Sequence, residues 1–434
     1  VQKTFRAYTR ETIHTLPQWQ HLSAELQEAT AVVGRVFPFR TNRYMVDEVI
    51  DWKHPESDPM YRLNFPNRDM LQPHHYQRLA SLLHQGETEQ VIARAVREIR
   101  QDLNPHSVQT MDATLPIIDG LKQQGIIHSY PETVLFFAAE GQMCHAHCTF
   151  CFRWLQFVGG EKEIFVSTDI NALVQYVAQH QEVRDILFTG GDPMVMPAHI
   201  LAEYVDKILA ANIPHLNAIR FGTKAITYWP YRFLTDPDAD SLLQTFERII
   251  ASGKHLAIVA NMNHPRELAT PAVQQAVQRI RATGAEIRAQ SPLLRHINAE
   301  ATTWVDLWQE QVRLGIIPYY QFIVRDTGAR HYFRVPLVEA LEIYRTAWGN
   351  VSGICRTARG PCMSTPHGKV QVVDVQEING KPALLLRYLQ SPDAAQVLRI
   401  FCAEYDANAD WFSDLRPLRP QDVPFFSPNS GSSA

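Results

Sequence analysis

Thr133-Val134-Leu135-Phe136-Phe137-Ala138-Ala139, followed after four intervening residues by Cys144-His145-Ala146-His147-Cys148-Thr149-Phe150-Cys151, is the stretch on which the reading of this sequence turns. A short apolar run rich in aromatic and β-branched residues reads as a buried strand. The three thiols behind it are spaced four and then three residues apart, so they can converge on one inorganic centre. Thiolates are the ligands of iron–sulfur clusters, and three rather than four leave one iron open to an exogenous ligand. The competing reading is a zinc site with His145 or His147 as fourth ligand. Short zinc sites usually pair two C-x2-C knuckles, however, and Cys355, Cys362 and Cys402 are remote and irregularly spaced.

Working outward, short apolar runs alternate with amphipathic helical patterns. The strand candidates are 133–139, 185–189, 217–221, 255–261, 286–290 and 318–324, with helices expected at 170–180, 198–211, 240–252, 270–283 and 302–314. Such a repeat argues for parallel strands joined by crossover helices. The fold class expected is α/β, a partial (β/α)6 barrel with a helical N-terminal region and a small α+β C-terminal region. Chemistry belongs at the carboxyl ends of such strands, which is where the thiols fall. The boundaries predicted are 1–128 for the helical region, with helical patterns at 76–83 and 91–103, 129–330 for the barrel, 331–426 for the C-terminal region and 427–434 for a flexible tail. In the C-terminal region the pattern gives a helix at 337–348, an irregular cysteine-bearing stretch, β-runs at 369–375 and 383–389, and a last helix at 393–405. The polar loop 51–59 is expected to be solvated.

Composition narrows the partners. A net charge of −4 provides no long-range field for nucleic acid, and no run approaches the length of a membrane span. Few cysteines, three of them packed into eight residues, favour a reducing cytoplasmic setting over a disulfide framework. A small-molecule substrate, no nucleic acid, no membrane and a homo-oligomeric assembly are expected.

The C-x3-C-x2-C spacing, with Phe150 before the last cysteine, resembles the radical S-adenosylmethionine (radical SAM) signature. Phe188-Thr189-Gly190-Gly191-Asp192-Pro193, one βα unit later, resembles the motif that holds the methionyl amine of that cofactor. The resemblance implies a [4Fe-4S] cluster on Cys144, Cys148 and Cys151, and S-adenosyl-L-methionine bound near Phe150, Gly190, Gly191 and Asp192. It also implies an electron donor such as flavodoxin or ferredoxin, and reductive cleavage that yields a 5'-deoxyadenosyl radical. Phe152-Arg153 and the segments Asn263-His264-Pro265-Arg266-Glu267, Gln290-Ser291-Pro292-Leu293-Leu294-Arg295, Pro318-Tyr319-Tyr320 and Phe333-Arg334-Val335-Pro336 narrow the match further. Over about residues 130–370 the sequence resembles the lysine 2,3-aminomutase family. His264 and Gln290 then become candidates for contacts to S-adenosylmethionine or substrate, and Arg153 matches the arginine that grips a substrate carboxylate.

That family also uses pyridoxal 5'-phosphate on a lysine after a glycine-rich run. Pro366-His367-Gly368-Lys369 stands at the corresponding place, making Lys369 the candidate Schiff-base residue. Two departures follow. Where the family carries arginines for the phosphate, this sequence has Ser129 and Thr133. Where lysine-specific members present two aspartates to the distal ammonium, it has Ala299 and Arg325, and an arginine favours a carboxylate. The expected activity is a 2,3-aminomutase-type 1,2-amino shift on an amino-acid-like substrate with an acidic or polar side chain. The alternative is a radical SAM enzyme of the same ancestry that works without pyridoxal phosphate and performs dehydrogenation, epimerisation or another rearrangement. Lys224, after the third strand candidate, is expected at the surface, and Cys355 and Cys362 are expected to be ordinary cysteines.

Overall fold

Strands form where the sequence places its short apolar runs, because the helix that follows each run covers one of its faces. The computed structural model describes residues 3–104, 115–118, 121–160 and 164–426, and the tail predicted at 427–434 lies outside the described residues. One sheet contains, in spatial order, β1 (Ile126–Tyr130), β2 (Thr133–Phe136), β3 (Asp185–Phe188), β4 (Ala218–Thr223), β5 (His255–Asn261), β6 (Glu286–Leu293) and β7 (Ile317–Ile323). It continues through β8 (Arg359–Thr365), β9 (Gly368–Ile378), β10 (Lys381–Gln390) and β11 (Ile400–Glu404). Strands β2 to β8 run parallel. β1 is antiparallel to β2, and β9 to β11 close the other side as antiparallel hairpins. Among the described residues β1 and β11 do not pair with each other, so the barrel is open. This is the partial barrel expected from the sequence, with the six predicted strands in place and a seventh parallel strand added.

The crossover helices are set by their apolar stripes. In Ala239–Ala251 the buried residues Leu242, Leu243, Phe246 and Ile249 recur at helical spacing and face the sheet. The helix Ile170–Gln179 begins where Asp169 accepts the amide N–H groups of Asn171 and Ala172, and Pro271–Ala282 begins at Thr270, with proline in its first turn. Alternation along β6 sorts the other face. Ile287 and Ala289 are buried toward the helices, whereas Glu286, Arg288 and Gln290 are only partly buried on the concave side, here called the lumen.

Two expectations are corrected. The helix predicted at 393–405 is a short 3-10 turn (Ala394–Gln396) followed by β11. Leu398 has φ +62, which no helix tolerates, and pairing with β10 buries Phe401 and Ala403 completely. Tertiary pairing overrides helical propensity here. The stretch read as irregular around Cys355 and Cys362 contains β8, disguised by Pro361 and by a lack of alternation, since β8 is buried on both faces.

The N-terminal region contributes the helices Ala24–Val36, Pro59–Asn64, Pro73–His84 and Glu89–Asp102, and a two-stranded ribbon of Ala7–Thr9 with Arg40–Asn42. The loop 51–59 is exposed at Lys53, His54, Glu56 and Ser57, whereas Trp52 packs against the core and Asp58 is buried, caps the helix Pro59–Asn64 and forms an ion pair with Arg266 beyond β5. Among the described residues no helix is long and apolar enough to cross a membrane.

Candidate active site

The thiol loop leaves the carboxyl end of β2 and is splinted by the N-terminal region. Asn42 donates through Nδ2 to the carbonyls of His145 (3.1 Å) and Tyr228 (2.8 Å), and Asn64 donates to that of His147 (2.9 Å). Thr149 completes the splint, its N–H bonding Leu63 O at 3.0 Å and its hydroxyl bonding Arg62 O at 2.6 Å. These bonds satisfy loop backbone that has no strand or helix of its own.

Cys144, Cys148 and Cys151 are free and half-buried, and each acts electrostatically on another. Burial pushes Cys148 up to about 11 and Cys151 up to about 12, and holds Cys144 well above the ordinary thiol range. Lys224 opposes this at Cys148, Arg40 at Cys144 and Arg153 at Cys151. Three cations thus stand ready to compensate a thiolate-bound centre. His145 packs its ring edge on Phe5 at 5.5 Å and His147 lies against Phe157 at 4.5 Å. Burial drives both down to about 3, so they are neutral core residues. Among the described residues no three His, Cys, Asp or Glu side chains converge as ligands of a single ion do. Three free thiols in one loop, with no protein fourth ligand among the described residues, are the donor set of a cluster that takes one thiolate per iron.

The Gly190-Gly191 turn after β3 packs against the start of this loop. A Cβ on Gly190, whose φ is +132, would come 2.3 Å from Gln142 Nε2, and one on Gly191 would come 2.5 Å from the Gln142 carbonyl carbon. Only glycine permits that approach. The Asp192 N–H donates to Gly141 O and Met143 O, both at 2.9 Å. Its carboxylate accepts Met194 N–H (2.9 Å), the Thr223 hydroxyl (2.6 Å) and Lys224 N–H (2.9 Å). Asp192 therefore ties the β3 turn to the end of β4. Phe150 is half-buried, and its ring meets Phe333 edge-on at 6.4 Å.

Lys224, expected at the surface, is largely enclosed instead, its side chain 10% exposed. Its ammonium lies 2.6 Å from Glu267 Oε1 and 2.7 Å from Asn263 Oδ1, over the Tyr228 ring at 4.4 Å. Glu267 also receives the N–H groups of Asn263 (2.5 Å) and His264 (3.1 Å). His264 is half-buried, and its Nδ1 accepts Arg266 N–H at 3.2 Å. Gln290 is half-buried near the carboxyl end of β6, beside Asn261 of β5. A charge placed just after a strand's carboxyl end was the available sign that Lys224 belongs to the mouth of the barrel.

Beyond the thiols two guanidinium groups share one ring. Arg153 lies 4.1 Å from the centre of Phe137 and 5.4 Å from that of Phe152, and Arg325 lies 5.0 Å from Phe152. Among the described residues neither forms an ion pair, and Arg153 Nη1 is buried without a hydrogen-bond partner. Burial lowers both, Arg153 to about 9, where Arg325 adds to the effect, while Asp326 and Tyr130 oppose it at Arg325. Ala299 is a half-buried apolar residue packed against the core.

Lys369 projects into the lumen from β9, next to Gly368, whose added Cβ would stand 2.2 Å from Gln390 O. Its amine donates to Gln390 Oε1 and lies 4.9 Å from the Tyr130 ring centre and 5.4 Å from that of Tyr320. Burial lowers it to about 8. Thr133 does not leave a void where the family has an arginine, since its hydroxyl donates to Asp185 Oδ2 at 3.0 Å and accepts from Arg220 Nη2 at 3.3 Å. Cys355 and Cys362 are buried, unpaired thiols.

The fold and site define an open, largely parallel α/β barrel with three free thiols in the loop after its first parallel strand. No protein-family model matches the sequence. The chain is 27% identical over 386 residues to a putative L-lysine 2,3-aminomutase of Aquifex aeolicus, covering 89% of this chain and 90% of that protein. It is 29% identical over 232 residues to the L-lysine 2,3-aminomutase of Haemophilus influenzae (52% of this chain, 63% of that one). It is 25% identical over 263 residues to that of Clostridium subterminale (59% and 60%). Among solved structures, native anSMEcpe with bound AdoMet overlaps half of the chain at a TM-score of 0.37 and 14% identity, covering 60% of that chain. Over most of its length the chain is thus similar to proteins named as lysine 2,3-aminomutases, at low identity.

Proposed function

We propose that this protein is a radical SAM enzyme that moves an amino group between adjacent carbons of an amino acid with an acidic side chain. The observation that carries the substrate class is the Arg153–Phe152–Arg325 arrangement. A lysine substrate would bring an ammonium to these desolvated guanidiniums, whereas a dicarboxylic amino acid brings one carboxylate for each.

Cys144, Cys148 and Cys151 would hold the [4Fe-4S] cluster, and the Gly190-Gly191 turn, Phe150, His264 and Gln290 would border S-adenosyl-L-methionine. When bound and reduced by a carrier such as flavodoxin or ferredoxin, these groups supply hydrogen-atom abstraction. Pyridoxal 5'-phosphate, when bound, supplies a ring that delocalises an unpaired electron during the shift. The protein's own part is to fix the substrate carboxylates on Arg153 and Arg325, to present the Lys369 amine, and to keep competing hydrogen donors out of the lumen. A second reading, catalysis without pyridoxal phosphate, is favoured by Asp185, an acid beside Thr133 and Arg220 where the family places phosphate-binding cations.

The deciding experiment incubates anaerobically reconstituted, reduced protein with S-adenosylmethionine and deuterated L-glutamate, L-aspartate or L-lysine. Label is expected in 5'-deoxyadenosine with an acidic amino acid and not with lysine, and the reverse order overturns the substrate class. A pH prediction follows from Lys369. Its folded value, lowered to about 8 by burial, leaves the amine protonated and unreactive below that pH and neutral above it. Borohydride trapping of pyridoxal phosphate on Lys369 is expected to rise as pH increases through about 8, and a midpoint in the ordinary lysine range of about 10.4 would show the amine to be unperturbed.

A further inference from the structure

The amino ends of the parallel strands gather charges that the proposed chemistry leaves unused. Arg220 of β4 forms an ion pair with Asp185 of β3 and reaches Thr133 of β2, and its Nε is buried with no hydrogen-bond partner. Arg359, at the start of β8, forms no ion pair among the described residues. Its Nη1 donates to the Tyr320 hydroxyl at 3.1 Å, and its guanidinium carbon lies 5.3 Å and 5.4 Å from the ring centres of Tyr319 and Tyr320. Lys369 stands at the same distance, 5.4 Å, from that Tyr320 ring. Arg220, Arg359 and Asp185 all act electrostatically on the Lys369 amine. Three cations against one carboxylate, half-buried Arg220 and Lys369 together with exposed Arg359, leave this end of the lumen with positive charge in excess, which an anionic ligand would offset.

We propose that Arg359 and Arg220 bind the phosphate of a phosphorylated pyridoxal-type aldehyde held at Lys369, in place of the arginines missing at positions 129 and 133. The proposal rests on the reading of Lys369 given above. Arg220 comes from two strands away and brings its guanidinium against Thr133, so the cation returns to the place from which that substitution removed it. Asp185 orients this arginine and the threonine hydroxyl together. Arg359 lies at the same Tyr320 ring as Lys369, and its exposure to solvent lets a doubly charged oxyanion keep part of its hydration.

The test uses the full-length protein, titrated with pyridoxal 5'-phosphate and with pyridoxal. Adduct formation is followed by absorbance, and after borohydride the modified peptide is located by mass. Wild type is expected to prefer the phosphorylated aldehyde by about a hundredfold, the size that two hydrogen bonds to a charged group produce. Inorganic phosphate should compete with pyridoxal 5'-phosphate but not with pyridoxal. Arg359→Gln is expected to cut the preference about tenfold or more, with Arg359→Lys recovering part of it, and the exposed position keeps the fold out of question. Arg220→Gln should act in the same direction, with its thermal melt recorded as a folding control. An unchanged preference in both glutamine variants overturns the proposal. Adduct at Lys369 with equal affinity for both aldehydes overturns the phosphate assignment alone, while no adduct with either aldehyde overturns the Lys369 reading and this inference together.

Discussion

Arg325→Asp protein is expected to lose at least about a hundredfold in kcat/KM for an acidic amino acid, because a charge-assisted bond worth about 1.5–3 kcal/mol is replaced by repulsion. The expected size exceeds that of simple truncation. Arg325 lies over Phe152, and although Asp326 favours its charged form, no ion pair within salt-bridge distance occupies it among the described residues. Arg325→Gln separates the two contributions, since it removes the attraction without adding a negative group. Cleavage of S-adenosylmethionine without substrate should be unaffected in both variants, which confines the defect to substrate recognition. Unchanged kinetics in Arg325→Asp would remove the residue from the substrate site.

Glu267→Leu is expected to destabilise the protein by about 3–5 kcal/mol, because it strands the Lys224 ammonium without its counter-ion. The Lys224 side chain is 10% exposed and that of Glu267 is fully buried, so water cannot replace the carboxylate. Urea unfolding measures the loss. The double variant Lys224→Met/Glu267→Leu should recover most of it, since the penalty comes from the unpaired charge more than from the missing bond. If the double variant were no more stable than Glu267→Leu, the ion pair would not be the source. Because Lys224 also acts on Cys148, cluster content should fall in Glu267→Leu even where the fold survives.

The parallel strands were legible because each carries a dense apolar run, and the helices between them because their stripes keep a 3.6-residue period. β8 was not, since a strand buried on both faces shows no alternation and Pro361 reads as a breaker. β11 was not, since 393–405 has a helical composition that only its pairing with β10 overrides. Within the site, the thiols, the paired glycines, Arg153, Arg325 and Lys369 stood out by spacing or by likeness to a known motif. The N-terminal splint left no such sign. Asn42 and Asn64 act through main-chain carbonyls of His145 and His147, more than eighty positions away, and contacts of that kind follow no local pattern. Arg220 and Arg359 escaped notice for a related reason, because only the sheet order brings them toward Lys369.

Arg153, Arg325 and Arg359 rest on ring faces, unlike Arg220 and Lys224, which carboxylates hold, and this sets the kinetics of ligand exchange. An arginine locked to an acid must surrender that partner before it can receive a new one, so association carries the cost of a rupture. Arg153, Arg325 and Arg359, seated on Phe152, Phe137, Tyr319 and Tyr320, have no such exchange to perform. An arriving anion adds to the cation–ring contact without displacing it, and the ring fixes the guanidinium plane beforehand. Capture should be fast, with discrimination among anions residing in how slowly the right one leaves.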